Sequence, residues 1–133
     1  MSDADGVREV VRSFVEAMNR GEGEAAAGMY SDTDDALAIG TDPGEWFEGA
    51  ASVREVFTQA QGQGDGPTVR IDESTAGAEG DVGWYAGRGT FVLPDGSERP
   101  FRSTGVCRRE GGEWKILQSH TSFGVANDEV FGG

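Results

Sequence analysis

A single histidine, His120, is the one side chain in this sequence whose ordinary pKa suits proton transfer near neutrality. It gains chemical meaning only with neighbours. Arg88 could stabilise a developing enolate, Ser103 or Gln118 could orient the imidazole, and Tyr30 or Asp42 could serve as a second acid. The structural alternatives are plain: His120 donates one hydrogen bond inside a polar core, and Asp42, which precedes Pro43, caps a turn. Arg88, if buried, needs a carboxylate from a ligand or from this chain, because an unpaired interior charge costs several kcal/mol. Cys107, the one cysteine, cannot form an internal disulfide and reads as a small buried hydrophobe.

These residues meet only if strand pairing aligns them. From residue 68 the sequence has period two, with strands expected near 68–75, 81–93, 98–110 and 113–124. Asp95-Gly96 and Gly111-Gly112 suit two-residue hairpins. Turning there sets Trp84 opposite Cys107 and Cys107 opposite Ile116. It also aligns Arg88, Ser103 and His120 in one polar row, with Ala86-Gly105-Gln118 on one side and Thr90-Phe101-Ser122 on the other. This face has the aromatic and polar mixture of a ligand-site lining. A slip of one residue would exchange the two faces. The opposite face, with Tyr85, Phe91, Val106, Leu117 and Phe123, is apolar enough to call for a covering partner subunit.

The N-terminal half is helical. Val7, Val10, Val11, Phe14, Val15 and Met18 form the stripe of an amphipathic helix, capped by Asp3 or Asp5 and stopped at Asn19-Arg20-Gly21. A short second helix is expected over 22–30, a strand over 35–41, and a third helix from the stripe Val53, Val56, Phe57 and Ala60, ended by a glycine-rich loop at 62–67. Between them "GTDPGEWFEG" (40–49) sets Trp46 and Phe47 after an Asp-Pro-Gly turn, and Trp46 is expected to close the mouth of a pocket. Helices first and long antiparallel strands afterwards predict one α+β domain over residues 1–133, its sheet curling round the first helix as strand twist accumulates.

Composition narrows the partners. Ten arginines and Lys115 stand against 24 carboxylates, for a net charge of −13, and such a surface repels phosphate backbones and anionic lipid. No nucleic-acid or membrane partner is expected. The acidic, lysine-poor balance fits a high-salt cytoplasm or a GC-rich genome equally. With no apolar run near the ~18 residues of a membrane span and no secretion signal, the expected location is cytoplasmic. No metal-ligand spacing and no phosphate-cradling glycine motif occurs, so neither metal nor cofactor is expected.

The helical N-terminus, "GTDPGEWFEG", "FRSTGVCRRE" and "GEWKILQSHTS" together resemble the SnoaL-like branch of the NTF2-like superfamily. The sharpest part is Gly112, Trp114 and Ile116 followed by His120 and Ser122. The resemblance implies a cone of helices wrapped by a strongly curved antiparallel sheet, often dimeric through the sheet's outer face, with an internal pocket. Kinase association domains of the calcium/calmodulin-dependent type are similar in Arg88 and Thr90, but carry a pocket arginine where this chain has Thr121. The expected protein is a cofactor-free homodimer binding a small organic molecule, with Tyr30, Trp46, Trp84, Arg88, Ser103, Gln118 and His120 lining the pocket. Two alternatives stay open: an isomerase- or cyclase-like enzyme using His120 as general base with Arg88, and an interaction domain without a ligand.

Overall fold

The computed structural model describes residues 2–62 and 65–132. The chain belongs to the α+β class, three N-terminal helices lying within a six-stranded sheet. Helix α1 (Asp3–Asn19) starts at a capping box: Ser2 accepts from the Asp5 amide, and the Asp5 carboxylate accepts from that of Ser2. The cap is therefore Ser2, one residue before Asp3 and three before Asp5, the two caps the sequence suggested. Helix α2 (Gly23–Ala27) is shorter than the expected 22–30, because the backbone on either side of Tyr30 bonds to Ile116 instead of continuing the helix: the Met29 carbonyl accepts from the Ile116 amide and the Ser31 amide donates to the Ile116 carbonyl. Strand β1 (Leu37–Ile39) pairs antiparallel with a short strand the sequence did not reveal, β2 (Trp46–Glu48), and α3 (Ala50–Thr58) follows Gly49. Part of the glycine-rich loop at 62–67 lies outside the described residues.

The long strands are β3 (Thr68–Glu79), β4 (Val82–Val92), β5 (Glu98–Glu110) and β6 (Glu113–Ser122), followed by a five-residue helix, α4 (Asn127–Phe131). The order across the sheet is β2-β1-β6-β5-β4-β3, with β1 parallel to β6 and the other pairs antiparallel. Two bulges add an unpaired residue, at Asp72 in β3 and Leu117 in β6. Each increases local twist and bends its strand, which helps the sheet curl round α1. Val7, Val10, Val53, Cys107 and Ile116 form the buried centre. Trp114, of the Gly-x-Trp-x-Ile run, packs on Gly6 of α1 and carries the Arg109 guanidinium 4.7 Å above its ring. Arg109 also reaches Asp3 at 2.6 Å, so it ties β5 to the first helical turn.

The pairing phase corrects the expected register. At the β5–β6 hairpin Gly111 and Gly112 both have positive φ and Glu110 faces Glu113, as a two-residue turn requires. At the β4–β5 hairpin the Gly96 amide bonds to Leu93, and Leu93 bonds to Ser97, so the loop is Pro94-Asp95-Gly96, three residues long. Proline favours the first central position of a turn and Gly96, at φ +87°, takes the left-handed position that closes such a loop. An odd loop shifts β4 by one place: Trp84 faces Val106, and Arg88 faces Arg102. The Leu117 bulge then shifts the end of β6, so that Thr104 faces His120.

A polar knot fastens the loop before β1 to the sheet. The Ser31 hydroxyl donates to Glu110 at 2.7 Å, and Arg108 bonds both Glu110, at 2.9 Å, and Thr33. Burial pushes the Glu110 carboxyl up, but hydrogen bonds from Ser31 and Arg108 prevail and hold it below its ordinary value. A carboxyl with a depressed folded pKa stabilises the fold above its unfolded pKa and loses that contribution as pH falls through the folded value. Glu110→Gln should therefore lower the melting temperature at pH 7 by a few degrees, with the difference from the parent protein shrinking as the pH falls below the ordinary carboxylate range and Glu110 protonates. Thermal unfolding across that range by circular dichroism checks it.

Candidate functional site

The sheet's concave side and the helices enclose an open cavity of about 370 Å³. Its helical wall is a three-ring cluster: Phe14 meets Tyr30 and Phe57 edge-on at 5.4 and 5.1 Å, while Tyr30 and Phe57 stack at 5.1 Å. Phe91 and Phe101 form a second aromatic wall on the sheet, 4.7 Å apart, and Gly89 leaves room there for the Phe101 ring. Phe47 adds to the lining, with Glu45 and Thr41 nearby.

Hydroxyls supply the polar contacts. Tyr30 and Ser119 share a buried 2.6 Å hydrogen bond, and Ser103 and Thr121 share one of 3.1 Å. Burial pushes the Tyr30 phenol up to about 12, partly offset by Ser119, and also pushes the Tyr85 phenol well up, partly offset by Ser103. Both phenols stay neutral and able to donate at physiological pH. A bonded pair of hydroxyls spends one proton on itself and keeps one to offer, so each pair can still donate once to a ligand. Among the described residues the lining holds no arginine, lysine or histidine, and Glu45 is its one carboxylate. That carboxylate is engaged, accepting from the Asp42 amide at 2.9 Å.

The structure brings Tyr30 and Ser103 to this cavity and sends five of the expected lining residues elsewhere. Trp84, Arg88, Gln118 and His120 stand on the outer sheet face: the odd Pro94-Asp95-Gly96 loop turns Trp84 and Arg88 out, and the Leu117 bulge turns Gln118 and His120 out. Arg88 is 79% exposed and pairs with Glu73 at 3.1 Å. Trp46 is 58% exposed, its indole N–H donating to Glu48. In a strand two consecutive aromatics cannot face the same side; Phe47, opposite the buried Ala38, takes the inward place and Trp46 the outward one. Asp42 accepts from the Gly44 amide and caps its turn. Cys107 is fully buried, which pushes its thiol up to about 12. Sequence reasoning missed Tyr85, Ser119 and Thr121; the alternation that hid them was correct in period and wrong by one step in phase. No helix among the described residues is long and apolar enough to cross a membrane, and no group of three or more His, Cys, Asp or Glu there could hold a metal ion.

A family model for the SnoaL-like domain matches residues 7–126. The chain belongs to that family. Solved structures agree on the fold at low identity. It is similar to an NTF2-like protein of unknown function from Pseudomonas putida KT2440, with 18% identity, TM-score 0.82, and 96% of this chain and 90% of that chain covered. A candidate dehydratase of the NTF2-like family from Streptomyces avermitilis gives 19% identity, TM-score 0.77 and coverage of 93% and 97%. An NTF2-like protein with a cystatin-like fold from Novosphingobium aromaticivorans gives 16%, 0.74, 95% and 86%. No curated protein matches the chain by sequence.

Tyr30→Phe should cost about 1–2 kcal/mol of stability, because it strands the buried Ser119 hydroxyl. Tyr30→Phe combined with Ser119→Ala should cost less than the sum of the two single changes. A double-mutant cycle in urea measures the coupling.

Proposed function

We propose that this SnoaL-like domain binds one small, uncharged, largely apolar organic molecule in the cavity, needs no cofactor, and works as a homodimer through the outer sheet face. The observation that carries the binding reading is a cavity in the size range of small-molecule sites whose lining combines aromatic rings with unspent hydroxyl protons. The open cavity speaks against a ligand-free interaction domain. General-base catalysis through His120 loses its geometric support, since the ring is on the far side of the sheet from any molecule held inside. The dimer reading draws on exposed Trp84, Trp46 and Val82, which leave apolar area on the outer side of the sheet.

Charge selection follows from the lining. A carboxylate entering this cavity would leave water without meeting a cation, whereas a ketone or ester accepts the spare hydroxyl protons at little cost. In calorimetric titration at pH 7, 2-acetylnaphthalene should bind at least about thirty-fold more tightly than 2-naphthoate. Thr121→Arg should strengthen naphthoate binding by about ten-fold or more. His120→Ala and Arg88→Ala should leave ketone affinity unchanged within about two-fold. Absence of binding by every probe would remove the pocket reading, and equal affinity for ketone and carboxylate would remove the charge selection alone.

A further inference from the structure

The last described segment has no surface to pack on. Phe123 fixes its root against Phe91 of the cavity wall, 5.8 Å away and edge-on. Beyond it Val125, Val130 and Phe131 are 55%, 62% and 80% exposed, and α4 buries no residue. A five-residue helix is far shorter than the roughly twelve residues at which an isolated helix becomes even marginal in water. Its order has to come from contact with something else, and its apolar side chains are free to make that contact.

The outer sheet face offers a complementary surface. A groove of about 320 Å³ runs across β3, β4 and β5, with Glu73, Arg88, Arg102 and Thr104 in its lining. Arg88 and Arg102 stand directly opposite each other on adjacent strands, an arrangement in which like charges repel. Glu73 relieves Arg88; Arg102, among the described residues, pairs with no carboxylate, in a chain that has 24 of them. The arm leaves the sheet beside this arginine, a Cβ on Gly124 falling 4.0 Å from the Arg102 guanidinium carbon. The arm itself carries Asp128 and Glu129, neither paired with a cation among the described residues.

We propose that residues 124–131 form an arm that crosses to a second copy of this chain and lies on its outer sheet face. Asp128 and Glu129 meet the partner's Arg88 and Arg102, while Val130 and Phe131 cover the apolar surface about the partner's Trp84 and Val106. A second copy fits better than the same chain, because within one chain both surfaces are bare. A two-fold axis gives each arm one groove. A chain of net charge −13 also needs some relief of self-repulsion where two copies meet, and acids placed on an arginine pair provide it. This assignment rests on the homodimer reading and adds the contacts that hold it.

The test is a charge exchange followed by sedimentation velocity over a range of protein concentration, with circular dichroism as the folding control. Asp128→Arg with Glu129→Arg, or Arg88→Glu with Arg102→Glu, should each raise the dimer dissociation constant at least about ten-fold. The four substitutions together should return it to within about three-fold of the parent. Phe131→Ser, a change at a side chain exposed in the single chain, should weaken the dimer by about ten-fold without lowering the monomer's melting temperature. A parent dimer indifferent to all three variants, or a four-fold variant no better than the worse pair, overturns the arm. A parent chain that stays monomeric up to about 100 μM overturns the homodimer reading and the arm with it.

Discussion

The phase in which β4 meets β5 decides the chemistry of both sides of the sheet. A strand presents alternate residues to opposite faces, so one step of displacement exchanges everything it offers inside for everything it offers outside. The three-residue Pro94-Asp95-Gly96 loop chooses the phase that turns Tyr85 and Phe91 toward the cavity and exposes Trp84 and Arg88. The Leu117 bulge makes the second choice, retaining Ile116 in the core while bringing Ser119 and Thr121 inward in place of Gln118 and His120. With these two settings the interior becomes aromatic and hydroxylic, and Arg88 and His120 move to the outer surface.

An interior of that kind has a definite electrostatic character. Its phenols are neutral because burial opposes their ionisation, and its hydroxyl pairs are Tyr30 with Ser119 and Ser103 with Thr121. Among the described residues no fixed positive charge lines the cavity to compensate an anion, so the cost of dehydrating one falls on the ligand. A chain rich in carboxylates keeps its core quiet in the same way: Glu45 is the one acid in the cavity lining among the described residues, most arginines pair locally, and the network of Ser31, Arg108 and Glu110 carries its charge at the sheet margin.

Much of the architecture was legible. The valine stripe specified α1, the change from helical to alternating periodicity marked the passage from helices to sheet, and Gly111-Gly112 identified its hairpin to the residue. The match to the SnoaL-like family accords with what the Gly-x-Trp-x-Ile run suggested. Placement of the polar side chains failed for a specific reason. Asp95-Gly96 looks like a two-residue turn by itself, and the preceding Pro94 decides otherwise through the backbone angle it prefers. A bulge such as that at Leu117 depends on how the whole sheet bends, which no local pattern announces. Trp46 and Phe47 posed a binary choice, and only the pairing of β1 with β2 and the burial of Ala38 resolve it.

Cys107 gives the folded protein a private clock. The thiol is sealed between α1 and the sheet and is held as the unreactive S–H form. A maleimide in solution can reach it only when the wrapped sheet opens, so the rate of alkylation reports how often the cone comes apart, without any introduced label.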